Sequence, residues 1–132
     1  MAVDDQSSAS IAPRGIDLVA ARAGSFTRGA STPASVAISA TGALAVGGTE
    51  CAGHGTARLD LVVSVVGTTV TVTIETSFDN GATDTWRTVA AFAAQTAAGT
   101  TRKVFTGLDR WVRANVTAET GGATFSLSGE LV

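Results

Sequence analysis

Residue types that define several common functional classes are scarce in this chain of 132 residues. With a single cysteine, Cys51, the chain cannot form an internal disulfide, which excludes a small secreted domain held together by such bonds. Charged residues make up 15% of the sequence and the net charge is −2, whereas a nucleic-acid module usually carries a basic patch. No apolar run approaches the roughly 18 residues of a membrane helix. We therefore expect neither a nucleic-acid partner nor a membrane partner.

The first residues, MAVDDQSSASIAPRG, are acidic and polar, whereas a signal peptide is basic and then apolar. This predicts a protein made and kept in the cytoplasm, or released with something assembled there. Small residues are abundant instead: hydrophobic residues make up 45% of the chain, many of them Ala and Val, and there are 15 glycines. A weakly charged surface of small residues is better tolerated by assembled proteins than by free monomers.

From about residue 35 the apolar residues alternate with polar ones, which is typical of half-buried strands. The clearest runs are ARLDLVVSVV (57–66), TVTVTIET (69–76), WVRANVTAE (111–119) and ATFSLSGEL (123–131), with weaker ones at 35–39, 43–47, 86–93 and 101–106. Leu59, Leu61, Val63 and Val65 are expected to point inward on the first of these. About eight short strands and no confident long helix predict an all-β fold, an antiparallel β-sandwich. Its topology, jelly-roll or immunoglobulin-like, stays open.

Residues 1–34 show little periodicity and contain both prolines. Within them GIDLVAARAG (15–24) fits a short helix or an extended segment equally well. We predict an extended N-terminal arm over 1–34 and a sandwich domain over 35–132, with the arm reaching a neighbouring subunit. The arm residues expected to touch a partner are Ile11, Pro13, Arg14, Ile16, Leu18 and Phe26.

The segment SFDNGATDTW (77–86) resembles the Asp-box turn of sialidase-like propellers. The box positions are filled by Ser77, Asp79, Gly81, Thr85 and Trp86. Two further residues, Thr83 and Asp84, are inserted, and the box occurs once, whereas a propeller needs one per blade at a period of roughly 40–50 residues. The chain also has no tyrosine to act as a sialidase nucleophile. The pattern therefore predicts a turn in which Ser and Asp side chains bind backbone, Gly takes a positive φ and Trp packs beneath.

Two groups of residues raise the question of a metal. Asp79, Asn80 and Asp84 bring oxygens together, but the bidentate Glu and flanking helices of an EF-hand are missing. Cys51 and His54 are the sole cysteine and histidine, and a zinc site needs three or four ligands, so zinc would require copies of His54 around a symmetry axis. We expect no metal and no cofactor.

Catalysis is a separate question. With one histidine, no convincing nucleophile–base pair can be assembled, so we do not expect an enzyme.

The local basic cluster consists of Arg102, Lys103, Arg110 and Arg113, with Trp111 among them. Trp111 and Arg113 share one face of their strand with Asn115. A Trp flanked by Arg on an outward face is typical of a protein-contact hot spot or a sugar-stacking platform, or else it covers the edge of the sandwich. We take Arg110, Trp111 and Arg113 as candidate partner-binding residues.

Three segments, ETSFDNGATDTWRTVAAF, AAGTTRKVFTGLDRWVRANVTA and GGATFSLSGEL, resemble a group of small β-sandwich virion structural proteins of tailed bacteriophages. In that group a strand ends in S-x-D-G-G-x-W, a second reads F-x-G-L-D-R-[WY]-V-R-A, and a closing strand reads F-x-[FVL]-x-[VL]-x-G. The resemblance covers roughly residues 57–131, and the insertion at Thr83 and Asp84 departs from it.

The resemblance implies a capsid decoration (cement) protein that binds the outer head surface and stabilises contacts between capsomers. Its partner would be the major capsid protein. We expect a homo-oligomer, with a trimer favoured, located on the virion and assembled in the host cytoplasm. Two alternatives stay open: a head–tail or tail component, and a carbohydrate-binding or host-adhesion module that stacks sugars on Trp86 or Trp111.

Overall fold

The computed structural model describes residues 12–23, 32–44 and 48–132, and these residues form strands, turns and loops without a helix. The strands are β1 (Arg14–Asp17), β2 (Arg22–Ala23), β3 (Val36–Ile38), β4 (Gly42–Ala43), β5 (Thr49–Glu50), β6 (Thr56–Val66), β7 (Thr69–Ser77), β8 (Arg87–Ala91), β9 (Gly99–Thr106), β10 (Trp111–Thr120) and β11 (Ala123–Leu131). They form two antiparallel sheets packed face to face, which confirms the predicted β-sandwich. In this part of the chain no helix is long and apolar enough to cross a membrane.

The described residues hold eleven strands where about eight were predicted. The three additional strands are β1, β2 and β5, which have two to four residues each, whereas β3 and β4 lie at the weaker runs predicted at 35–39 and 43–47. A strand this short shows no alternation in sequence, because it is defined by the backbone that it pairs with. Here β2 pairs with β1, β3 with β11, and both β4 and β5 with β10.

The order of the strands identifies the topology that the sequence left open. One sheet runs β2-β1-β11-β6-β9, and the other runs β4-β10-β7-β8 with β5 beside β4 on the same edge of β10. If β4 and β5 count as one broken strand and the short β2 and β3 are set aside, the chain visits the two sheets as 1-8-3-6 and 2-7-4-5. This interleaving of two Greek keys is the jelly roll.

The core lies between the two sheets and is built from the inward residues of the long strands. The predicted inward residues of β10 and β11, such as Val112 and Leu127, are fully buried, and Phe92 meets Phe105 edge to face at 5.1 Å. One prediction of this kind is wrong. Val65 is 58% exposed, because the pairing of β6 with β11 shifts register beside Ser64. This bulge turns the residues after it to the opposite face.

The sandwich also starts earlier than predicted. β1 pairs with β11 from Arg14↔Leu131 to Asp17↔Ser128, so residues 14–17 are an integral strand of a sheet. Asp17, the last residue of β1, is buried, and its carboxylate accepts hydrogen bonds from the N–H groups of Val19 and Ala20 in the following turn, at 3.0 and 3.1 Å. The segment predicted as an arm over 1–34 therefore includes residues that belong to the sandwich from Arg14 onwards. A four-residue strand offers too few alternating positions to be seen in sequence.

Candidate partner-binding site

Three of the predicted partner-binding residues meet at one end of the sandwich. β1 begins at Arg14, and β10 begins at Trp111, next to Arg110. Arg14 and Trp111 line a shallow polar depression together with residues 48–50, 52 and two alanines after β1. We call this depression the side pocket. Arg14 and Arg110 are exposed at this end of the molecule, and Trp111 is half-buried.

A second depression of about 410 Å³ adjoins the first and shares Glu50 and Ala52 with it. We call it the end pocket. Its lining residues are Glu50, Ala52, Gly53, His54, Gly55, Phe78, Leu108, Asp109 and Arg110. Its volume falls within the range of about 300–1,000 Å³ that is usual for binding pockets. Phe78 and Leu108 contribute the large apolar side chains.

The segment 77–86 forms the turn that the sequence predicted, and its hydrogen bonds are dense. The Ser77 hydroxyl accepts from the N–H of Gly81 at 2.9 Å and donates to the carbonyl of Asp84 at 2.7 Å. The Asp79 carboxylate accepts from the hydroxyl and the N–H of Thr83 at 2.6 and 2.9 Å, and from the N–H of Asp84 at 3.0 Å. The inserted residues thus extend the hydrogen-bonding network of the box.

The same hydrogen bonds affect the charge of Asp79. Led by the bond from the Thr83 hydroxyl, and helped by the N–H groups of Thr83 and Asp84, they lower the pKa of Asp79 to about 2. The ionised carboxylate is therefore the form that holds the turn. The oxygens that the sequence offered to a calcium ion are used here for backbone hydrogen bonds, and Asp84 likewise accepts from the N–H of Phe78 at 2.7 Å.

Trp86 anchors the turn to the outer face of β7 and β10. Gly81 takes φ +79° directly against the indole, and a Cβ at this position would collide with the ring. On the sheet side the Arg113 guanidinium lies 4.5 Å from the centre of the indole, which is a cation–π contact. Arg113 is held in turn by buried Glu75, to which its Nε donates at 2.7 Å, and Asn115 donates to the other oxygen at 3.0 Å.

Phe78 is the functional candidate that sequence reasoning missed. Its side chain is 65% exposed although the turn around it is fixed by the bonds described above. A signal was present, because Phe78 is the one large apolar residue within SFDNGATD, whose other side chains are small or polar. An aromatic side chain on a rigid turn loses little conformational entropy when a partner covers it.

Ion pairs form the charged rim of the end pocket. Arg110 donates through Nε to Glu50 at 2.6 Å, which ties the start of β10 to β5. Arg87 donates to Asp109 at 2.8 Å. Both pairs are largely exposed on the arginine side, so each contributes little to folding stability, about 1 kcal/mol or less. They leave charged groups at the edge of an apolar surface, as at a protein interface.

The floor of the end pocket is made by the turn that contains Cys51 and His54. The N–H of Cys51 donates to the carbonyl of Arg110 at 2.7 Å, and the N–H of His54 donates to the carbonyl of Cys51 at 3.1 Å. Burial, with added repulsion from Asp109 and Glu50, raises the pKa of the Cys51 thiol to about 12. Cys51 is therefore a neutral, apolar core residue at physiological pH.

His54 is only 4% exposed, and its Nε2 has no hydrogen-bond partner. Close by, Ala52 takes φ +53°, a left-handed conformation that costs a non-glycine residue about 1 kcal/mol. Within the described residues no group of three His, Cys, Asp or Glu side chains is placed to hold a metal ion.

The remaining predicted site residues lie in different parts of the structure or outside the described residues. Ile16 and Leu18 are fully buried in the core, because the segment 14–18 enters the sandwich, and they are not available to a partner. Pro13 is exposed just before β1. Arg113 belongs to the anchor of the turn, where its guanidinium faces Trp86. Ile11 and Phe26 lie outside the described residues.

No family model matches this chain, and neither a curated protein nor a solved structure matches it significantly. The end of the sandwich described above combines an exposed aromatic residue on a rigid turn, a pocket beside it and a charged rim. These features suit contact with another macromolecule.

Proposed function

We propose that this protein is a phage virion structural protein, and within that class a capsid decoration (cement) protein. It binds the outer surface of the head and stabilises contacts between capsomers, and its partner is the major capsid protein. It acts as a homo-oligomer, with a trimer favoured, and has no catalytic role. The resemblance of residues 57–131 to phage virion proteins supports this, as does the jelly roll, which occurs in viral capsid domains as well as in lectins. Fold alone does not fix function, so the proposal depends on the site.

The observation that carries the proposal is the exposed Phe78 beside the end pocket. A monomeric protein gains nothing by fixing an apolar side chain in water on a turn held by Ser77, Asp79 and Trp86. A protein that docks on a neighbour gains an anchor that needs no ordering on binding. The salt bridge of Arg110 with Glu50 next to it supplies the charged rim that such an anchor usually has.

The arm contributes to the same surface in this proposal. Because β1 starts at Arg14 in the side pocket, the residues before it are attached at the end of the sandwich that carries Phe78. An arm and a pocket on one end allow two linked contacts, and linked contacts strengthen binding beyond either alone. Removing residues 1–13 should then weaken capsid binding while the sandwich stays folded.

Co-sedimentation with heads that lack this protein tests the proposal. The variant Phe78→Ala should bind at least tenfold more weakly than the wild type, as expected for an interface hot spot. Val104→Ala is the matched control, because Val104 is also exposed (52%) but lies on β9 of the other sheet. Equal binding by both variants and the wild type would reject this surface, and a wild type that never sediments with heads would reject the decoration role.

A second candidate, carbohydrate binding in host adhesion, is favoured by one observation. In the side pocket Trp111 lies beside Arg14, Glu50 and Thr49, whose hydroxyl is buried without a partner. Trp86 does not suit this role, since Arg113 covers its ring. Host polysaccharide should then raise the melting temperature of the wild type and leave Trp111→Ala unchanged. A melting temperature that no polysaccharide moves would remove this candidate.

A head–tail or tail component would use the same surface against a different neighbour. Gold-labelled antibodies against the protein on intact virions distinguish the two locations. Label over the whole head supports decoration, and label confined to the neck or tail supports the alternative.

A further inference from the structure

The turn 77–86 contains an asparagine directly before a glycine, Asn80 and Gly81. This dipeptide is favoured in tight turns because both residues accept a positive φ, and here they take φ +61° and +79°. It is also a pair in which asparagine readily loses its side-chain amide, because glycine has no side chain to keep its own backbone nitrogen away from that amide. Asn80 is exposed, so water reaches it. The turn therefore places a reactive pair of residues at the surface.

The loss of the amide proceeds through a ring within the main chain. The backbone nitrogen of Gly81 attacks the Cγ of Asn80 and forms a new C–N bond. The side-chain nitrogen leaves as ammonia, which carries away the proton that the Gly81 nitrogen gives up. Water then opens the cyclic imide at either of its two carbonyls. One opening leaves aspartate at position 80, and the other leaves isoaspartate, in which the main chain runs through the former side chain.

In the folded turn the attacking nitrogen is engaged in a hydrogen bond. The N–H of Gly81 donates to the Ser77 hydroxyl at 2.9 Å, and this hydroxyl is fixed in turn by donating to the carbonyl of Asp84 at 2.7 Å. Ser77 is fully buried, so water does not compete for its hydroxyl. Attack on Asn80 requires the Gly81 nitrogen to give up its proton and turn towards the side chain, and the bond to Ser77 must break first.

The side chain of Asn80 is held as well. Its Oδ1 lies so close to the backbone of Gly48 that a Cβ on Gly48 would collide with it. The same Cβ would also meet the indole of Trp86, which shows how closely this part of the structure is packed. The Cγ that is attacked cannot move far without leaving this contact. Both reacting groups are therefore restrained by contacts that exist only in the folded protein.

We infer that Asn80 is a site of spontaneous deamidation and that the Ser77 hydroxyl is the group that restrains the reaction in the folded protein. The products alter the turn. A new carboxylate appears next to the ionised Asp79, and isoaspartate adds a methylene to the main chain at a residue that takes φ +61°. Both changes act on the support of Phe78. The inference rests on the turn alone and is independent of the proposed function.

Incubation at mildly alkaline pH, followed by peptide mapping with mass spectrometry, tests the inference. We expect the wild type to deamidate at Asn80, and to do so faster when it is unfolded in urea than when it is folded. Folded Ser77→Ala should react about fivefold faster than the folded wild type, as the loss of one typical hydrogen bond allows. Asn115, the other asparagine, precedes Val116 within β10 and should stay intact in the folded protein.

Thr83→Val is the matched control for a turn that is weakened elsewhere. It removes the hydroxyl that donates to Asp79 at 2.6 Å and leaves the bond between Gly81 and Ser77 in place, so its folded form should react at the wild-type rate. The urea comparison needs the wild type alone and decides the inference even where Ser77→Ala does not fold. Equal rates in the folded and unfolded wild type, no acceleration in folded Ser77→Ala, or an equal acceleration in Thr83→Val would each overturn the inference.

Discussion

Two adjoining parts of the sandwich end, the turn 77–86 and the turn 51–55, differ in how well their polar groups are satisfied. In the first, the side chains of Ser77 and Asp79 bind several backbone N–H groups. In the second, His54 has a buried atom without a partner, and Ala52 is strained. The turn 77–86 is thus the scaffold turn of this end, and the turn 51–55, which keeps an unsatisfied polar atom, is the unfinished turn.

The largest effect is expected from a methyl group at Gly81 in the scaffold turn. Gly81→Ala meets both the left-handed backbone and the Trp86 indole, so we expect a loss of about 3 kcal/mol in the free energy of unfolding. Gly107→Ala is a close control, since Gly107 has φ +76° and open space around it. The Gly107→Ala variant should lose only about 1 kcal/mol in the free energy of unfolding. Urea denaturation measures both, and equal losses would show that Trp86 does not brace the turn.

A smaller effect of opposite sign is expected in the unfinished turn. His54→Leu keeps the volume of the side chain and removes the unsatisfied nitrogen, so the unfolding free energy should stay constant or rise by about 1 kcal/mol. Most substitutions of buried residues, by contrast, lower the free energy of unfolding. A clear loss in urea denaturation would mean that His54 is a structural residue and that the two turns are alike.

The pH dependence of the scaffold turn gives a third effect. The pKa of Asp79 is lowered to about 2, so its contribution to stability is fully present above its ordinary value near 3.8 and is lost as the pH falls towards 2. The denaturation midpoint of the wild type should therefore exceed that of Asp79→Asn at pH 5 and approach it at pH 2. A difference that stays constant over this range would contradict an ionised Asp79 as the centre of the turn.

The smallest effect is expected at Phe78. Its exposed side chain makes the variant Phe78→Ala nearly neutral, within about 0.5 kcal/mol, in the stability of the isolated protein. Thermal unfolding measured beside Val104→Ala checks this. A large destabilisation would assign Phe78 to the fold, and the loss of binding proposed for this variant would no longer report on an interface.

The residues that were predicted well are those whose role is set locally. Alternation placed Val112 and Leu127 inward, and the box residues Gly81 and Trp86 predicted their own turn, because each signal lies within one strand or one hairpin. Val65 was placed wrongly because the bulge that turns it outward depends on the register with β11. No residue pattern within β6 itself indicates such a shift of register.

The site residues also fall into two groups: those with a local sequence signal, and those placed by pairing between distant strands. Arg110 and Trp111 were found because they are neighbours in sequence and stand out among small residues. The nearness of Arg14 to Trp111 depends on pairing between strands at opposite ends of the chain, and Ile16 looked like an arm residue until that pairing was known. The exposure of Phe78 also depends on the folded turn, since a phenylalanine between two strands is more often a core residue.

The most direct test of the central claim, that this chain works by docking its Phe78 end on a capsid, is cross-linking on intact virions. A photoreactive phenylalanine analogue replaces Phe78 in one sample and Val104 in another, and both are irradiated. The account predicts cross-links to the major capsid protein from position 78 and none from position 104. Cross-links from position 104 alone, or no cross-link to a capsid protein from position 78, would contradict it.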